Sequence, residues 1–131
     1  MIDKSHEIFT AIATPVKEKH SPIQVIGESV RVPAQFPCVA IDEIYNVPSQ
    51  IDTSERETHN AVTYRVQVFC TGENKRAQAR EIFKTISEVC WGLNLMRKTY
   101  TTTPDVYNSN VYCISATFEA DIREDGMIFR R

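Results

Sequence analysis

The stretch Gly72–Leu93, GENKRAQAREIFKTISEVCWGL, carries the strongest structural pattern in the chain. Its apolar residues recur every three or four positions, which places them along one face of a helix. They are Ala79, Ile82, Phe83, Ile86, Val89, Cys90 and Leu93. The pattern predicts an amphipathic helix of about five turns, and Gly92 indicates where it ends.

Strand patterns lie on both sides of this helix. In AVTYRVQVFC (61–70) and in VYCISATFEADI (111–122), apolar and polar residues alternate with a period of two, which is typical of half-buried strands. FPCVAIDEIY (36–45) is a mostly apolar run of strand length, and the segment after the helix contains a threonine-rich strand pattern. These segments together predict a sheet.

The chain ends complete the predicted fold. A first helix begins near Asp3 and is ended or kinked by Pro15. REDG (123–126) is a turn signal, after which MIFRR returns as a short strand. The order of helix, strand, strand, helix, strand, strand predicts an α+β fold. We expect an antiparallel sheet of four or more strands with both helices on one face, in a single domain spanning residues 1–131.

Composition narrows the classes of function. The formal net charge is −2, so no global positive field attracts nucleic acid or an acidic membrane surface. No apolar run approaches the roughly 20 residues of a membrane helix. None of the four cysteines forms a CxxC pair, and all fall within apolar strand or helix patterns. They are expected to be buried, reduced thiols in a reducing cytoplasm, with a disulfide framework as the alternative.

Catalytic and metal-binding patterns are missing from the sequence. Asp42 and Glu43 are adjacent in a strand and therefore point to opposite faces of the sheet, which argues against an acid/base pair. The three histidines lack metal-ligand spacing, and the group Glu55, Glu57 and His59 is best interpreted as a solvated loop. We expect no enzyme activity, no cofactor and no metal.

Two features of the long helix remain open. Lys75, Arg76 and Arg80 lie near its start, the unfavourable end for cations in the helix dipole, and indicate either a solvated face or an acidic partner. Trp91 lies off the apolar stripe. It either folds back over the helix end or contacts a neighbouring subunit, where tryptophan often contributes strongly to binding.

Several segments together resemble the tail terminator family of long-tailed bacteriophages, also called tail completion or head–tail joining proteins. They are the N-terminal helix, FPCVAIDEIYN, a polar loop, NAVTYRVQVFC, the helix with AREIFKTISEV, and the closing VYCISATFEADIREDGMIFRR. The resemblance covers nearly the whole chain but consists of diffuse patterns, without catalytic signatures. Around residues 14–21, Pro15 and extra polar residues depart from the shorter members.

The resemblance implies a sheet flanked by helices and a homo-hexameric ring at the head-proximal end of the tail tube. Such a ring stops tube polymerisation and joins the tail to the head. The implied partners are a second copy of the chain, the tail tube protein, a head–tail connector or stopper protein, and a sheath protein if the tail is contractile. DNA passes only as cargo through the lumen, no membrane is involved, and the location is the virion after assembly in the host cytoplasm.

The long polar segment Asn46–Asn60, NVPSQIDTSERETHN, is expected to be a loop between the first two main strands. In a ring subunit it would act as an arm that is mobile from Gln50 to Glu57 until assembly orders it. The candidate interface residues come from this arm and from positions that lie off the inward-facing pattern or at a chain end. They are Gln50, Ile51, Asp52, Glu55, Arg56, Glu57, Phe69, Trp91, Phe129 and Arg130.

Three alternatives remain. A connector or stopper ring would keep the subunit in the virion but place it nearer the head. A small-molecule or peptide-binding α+β domain could use the same sheet. An enzyme on a ferredoxin-like sheet is the third, because such sheets host many activities.

Overall fold

The computed structural model describes residues 1–27, 33, 35–51, 53, 57–105 and 108–130. These residues form helices and strands in the order α1 (Ser5–His20), β1 (Gln24–Ile26), β2 (Cys38–Ile51), β3 (Glu57–Thr71), α2 (Lys75–Gly92), β4 (Met96–Asp105), β5 (Asn108–Arg123) and β6 (Ile128–Arg130).

The strands form one sheet in the order β1-β2-β3-β5-β4, and β6 also pairs with β5. All pairs are antiparallel except β1 with β2. Both helices pack on the same face of the sheet, so the predicted α+β fold is confirmed. The final turn and short strand are also as predicted, with Gly126 at φ 89° in the turn.

The main core lies between the helices and the sheet, and it follows the predicted periodicities. On β3 and β5 the inward set includes Val62, Tyr64, Val66, Ile114 and Phe118, all buried. The α2 stripe supplies its partners, with Ala79, Ile82, Phe83, Ile86 and Cys90 buried. Alternation on the strands and the three-to-four spacing on α2 therefore place the same face of each element inward.

The opposite face of the sheet carries a second, smaller apolar cluster. Phe69 is only 3 % exposed there and packs with Cys38, Ala40, Val111 and Cys113, with Phe36 partly covering them. The prediction of Phe69 as an interface residue is therefore wrong. Its side chain does point away from the main core, but other residues of this chain cover it on the opposite face of the sheet.

Helix α1 differs from its predicted length. It begins at Ser5, whose backbone N–H donates to Asp3 Oδ1 at 3.0 Å, close to the predicted start. It continues through Pro15 to His20, so of the two predicted effects of Pro15, an end or a kink, the end is wrong. Buried Val16 anchors the later turns, and His20 Nε2 forms a 2.7 Å hydrogen bond with Thr85 Oγ1 of α2. These contacts compensate for the amide hydrogen that proline lacks.

The expected long polar loop is instead mostly β-hairpin. β2 runs to Ile51 and β3 begins at Glu57, with Asn46 opposite Val62 and Pro48 opposite Asn60. The ladder with β3 holds this polar sequence in strand conformation, because strand preference depends strongly on neighbouring strands. Pro48 is tolerated because no other described strand pairs with this part of β2.

Candidate interaction surface

Asp42 and Glu43 point to opposite faces of the sheet, as predicted. Asp42 Oδ2 lies 3.6 Å from Arg65 Nη2 on the face away from the helices. Glu43 Oε2 accepts a 2.5 Å hydrogen bond from the Tyr64 hydroxyl on the helix face. The two carboxylates therefore cannot act on one substrate atom.

Glu43 belongs to a chain of hydrogen bonds that links three segments. Its other oxygen accepts from Asn46 Nδ2 at 3.0 Å, and the same amide donates to the carbonyl of Ile2 at 2.8 Å. Asn60 Nδ2 in turn donates to Asn46 Oδ1 at 2.6 Å. Burial and the Glu43 hydrogen bond raise the pKa of Tyr64, which keeps the hydroxyl protonated as a donor. This network fastens the N-terminus to the hairpin.

A cleft of about 380 Å³ lies beside this network, lined by Ser5, His6, Phe9, Gly27 and Glu43 among others. Both oxygens of Glu43 are already engaged by Tyr64 and Asn46. Among the described residues, no three histidine, cysteine or acidic side chains come together as a metal site. The Glu43 carboxylate therefore serves the network that joins the N-terminus to β2 and β3.

The four cysteines are buried and lie outside any disulfide, as expected. Burial raises the pKa of both Cys70 and Cys90 to about 12 and raises that of Cys38 as well. Because the thiolate is the reactive form, these thiols are poor nucleophiles and serve as small apolar core residues.

Trp91 and Arg130, two of the predicted interface residues, are in direct contact. Trp91 lies in the last turn of α2 and is 56 % exposed. The Arg130 guanidinium lies over its indole ring, 3.5 Å from the ring centroid, and Arg130 Nη2 donates to the Trp91 carbonyl at 2.6 Å. The ring is therefore positioned on one side and open to solvent on the rest.

Phe129 lies on the other side of the same short strand. It faces away from the helices, is 39 % exposed, and stacks beneath the Arg123 guanidinium at 5.5 Å. Met127 in the preceding turn is also exposed. We refer to Trp91, Met127, Phe129 and Arg130 as the β6 edge; three of the predicted interface residues lie at this edge, with Trp91 and Arg130 on the helix side and Phe129 on the opposite face.

The opposite edge of the sheet exposes further apolar side chains, which are not among the predicted interface residues. Tyr45 is 63 % exposed and Val47 50 %, and both lie on the face away from the helices, opposite Thr63 and Ala61 of β3. We refer to Tyr45 and Val47 as the β2 edge. A register shift at Ile44 places Tyr45 on this face. No pattern in the sequence predicts that shift.

The remaining predicted interface residues belong to the stretch of sequence from the end of β2 to the start of β3. Gln50 and Ile51 belong to β2 and Glu57 to β3 by their backbones, which differs from the expected loop. Asp52, Glu55 and Arg56 lie outside the described residues, as does Ser54, so half of the segment predicted to be mobile, Gln50 to Glu57, is outside them.

The sequence matches no protein-family model, and no curated protein matches it significantly. Within the described residues, no helix is long and apolar enough to cross a membrane. The class that fold and surface define is thus an α+β protein with two exposed apolar edges, and its function has to be inferred from that geometry.

Proposed function

We propose that this protein is a tail terminator subunit of a long-tailed phage or phage-derived tail. It forms a homo-oligomeric, hexameric ring at the head-proximal end of the tail tube, stops tube polymerisation and offers a joining surface to the head connector. The protein acts by assembly, without catalysis.

The observation that carries this proposal is the distribution of exposed apolar side chains. Tyr45 and Val47 lie on β2, whereas Trp91, Met127 and Phe129 lie at the β6 edge. β2 and β6 occupy opposite sides of the sheet, separated by β3 and β5. Among the described residues, five of the seven large apolar side chains that are exposed thus lie at these two opposite edges; the other two are Met1 and Tyr100.

Two different patches on opposite sides of a subunit suit a heterologous, head-to-tail interface. When the rotation between successive subunits closes, such an interface generates a ring. Aromatic residues and arginine are enriched at protein interfaces, and the pair Trp91 and Arg130 provides both. The proposal that this ring is a tail terminator rests on the resemblance in sequence pattern to that family.

Electron microscopy of lysates lacking this gene tests the function. A missing terminator leaves tube growth uncapped, so we expect tail tubes of variable and excessive length. Tubes of normal length that fail to join heads would instead indicate the connector or stopper ring and would contradict the terminator proposal. Wild-type protein supplied in trans should restore normal length.

A further inference from the structure

A basic groove runs between α2 and β4, on the helix side of the sheet. Two adjoining hollows of about 650 and 220 Å³ form it, and Arg80 lines both. We refer to it as the α2–β4 groove; its main lining residues are Arg76, Arg80 and Lys84 of α2 and Arg97, Tyr100 and Thr102 of β4.

The groove concentrates positive charge in a protein whose net charge is −2. Four cationic side chains line it, against the single carboxylate of Glu81, which lies 3.7 Å from Lys84. Within the part of the chain that the structure describes, Arg76, Arg80 and Arg97 form no ion pair. Three guanidinium groups are therefore available for an anionic partner.

Aromatic rings hold two of these guanidinium groups in place. Arg76 lies over Tyr112 at 5.8 Å and Arg97 over Tyr100 at 5.6 Å. Stacking of this kind restricts the side chain, so less freedom is lost when a carboxylate binds. Arginine also suits carboxylates because its planar fork can donate two parallel hydrogen bonds.

The groove lies at an open margin of the sheet. β4 is the last strand on its side, and among the described residues only β5 pairs with it. A segment of another molecule can therefore enter from the side without displacing any described part of this chain.

The chain itself carries an acidic segment that complements the groove. Residues 52–57, DTSERE, which lead in the sequence from the end of β2 into β3, contain three carboxylates and one guanidinium; we refer to them as the acidic hairpin tip. We infer that the α2–β4 groove of one subunit binds the acidic hairpin tip, residues 52–57, of a neighbouring copy. This inference rests on the proposed ring and identifies the polar part of its interface.

The positions of groove and tip favour an intermolecular contact. The tip follows β2, on one side of the sheet, whereas β4 bounds the other side. If the tip of one subunit binds the groove of the next, the β2 side of the first subunit faces the β4 side of the second. The contact between the β2 edge and the β6 edge brings the same two sides together, because β4 and β6 both pair with β5. Both contacts can therefore belong to one head-to-tail interface.

Charge exchange tests the inference in the full-length protein. We would compare the groove variant Arg80→Glu/Arg97→Glu, the tip variant Asp52→Lys/Glu55→Lys and the combination of all four changes. Light scattering after size exclusion would measure assembly, alone and on purified tail tubes. Lys17→Glu/Lys19→Glu, on the exposed side of α1, matches the charge change of the groove variant and serves as its control.

Each two-site variant should raise the concentration needed for assembly at least about tenfold, since like charges facing each other at an interface are strongly unfavourable. The four-site combination should recover most of that loss, and the control should assemble like wild type. Circular dichroism would confirm folding; Arg80 and Arg97 are exposed.

Two outcomes would overturn the inference: unchanged assembly of the groove variant, or a four-site combination no better than either two-site variant. Selective loss of tube attachment, with rings intact, would assign the groove to the tube protein and also overturn it. Failure of the wild-type protein to form rings under any condition would contradict the proposed function instead.

Discussion

The Arg130 guanidinium stacks on the Trp91 ring and donates to the Trp91 carbonyl, so one side chain engages both the ring and the helix end. The last carbonyls of a helix lack intrahelical donors, and that end carries partial negative charge. Asn94, at φ 64°, also directs its backbone N–H to the same carbonyl at 3.1 Å. The cation therefore caps α2 and orients the exposed indole.

Replacing the indole should separate assembly from folding. We expect Trp91→Ala to change the free energy of unfolding by about 1 kcal/mol or less, because the ring is more than half exposed and loses mainly its cation–π contact. If the ring is central to the interface, assembly should weaken by about 2 kcal/mol or more per contact. Chemical denaturation and light scattering measure the two effects. Trp91→Phe should retain part of the assembly, whereas wild-type assembly of Trp91→Ala would contradict the assigned interface.

The Glu43 network should contribute to stability through its short hydrogen bond. Tyr64→Phe removes the hydroxyl that donates to Glu43 Oε2 and leaves that oxygen with one hydrogen bond fewer. We therefore expect the free energy of unfolding to fall by about 1–3 kcal/mol. Tyr45→Phe removes the same hydroxyl from an exposed tyrosine one strand away and should change stability by less than about 0.5 kcal/mol. Urea denaturation of both variants provides the comparison, and equal stabilities would show that the network contributes nothing.

Shortening the hairpin should impair assembly without affecting the fold. Ile51 and Glu57 form the last described pair of the β2–β3 ladder. Replacing residues 52–56 by Asn-Gly allows a two-residue turn to close the hairpin at that pair. We expect an unchanged circular dichroism spectrum and weaker ring formation, because the acidic tip is removed. Rings as stable as those of the wild type would show that the tip only connects β2 and β3 and has no role in assembly.

Alkaline pH should destabilise the protein. In the unfolded chain the thiols of Cys70 and Cys90 ionise near their ordinary pKa of 9.0, whereas burial raises the folded values to about 12. Above pH 9 the unfolded state therefore binds fewer protons than the folded state, and stability falls as pH rises. Each thiol contributes a slope of up to about 1.4 kcal/mol per pH unit.

Urea titrations from pH 7 to pH 11 under reducing conditions would measure this decline. The variant Cys70→Ala/Cys90→Ala should show a shallower slope, whatever its stability at neutral pH. Tyr64 adds to the decline at still higher pH because its pKa is also raised. An identical slope in both proteins would contradict the assignment to the thiols.

The elements whose apolar pattern persists over many residues could be predicted from the sequence. The stripe on α2 and the alternation on β3 and β5 indicate both the element and its buried face, since burial of that face determines which residues can occupy it. Pro15 and the polar end of β2 could not be assigned in this way. Their conformations depend on tertiary partners, namely Thr85 bound to His20 and the β3 ladder.

The candidate surface was only partly predictable for a similar reason. The exposure of Trp91 follows from its place off the stripe, but its contact with Arg130 joins residues 39 positions apart. Phe69 leaves the main core as its position in the alternation indicates, yet a second cluster on the other face covers it. Tyr45 reaches the surface through a register shift, which local sequence does not encode in a recognisable way.

Light scattering of the purified protein, alone and after mixing with tail tubes, measures whether the subunits assemble into a ring. A ring of six copies of the 15.0 kDa chain has a mass of about 90 kDa. We expect that species in solution, or a monomer that becomes a ring on tube ends. A protein that stays monomeric at every concentration and never associates with tubes would contradict the account.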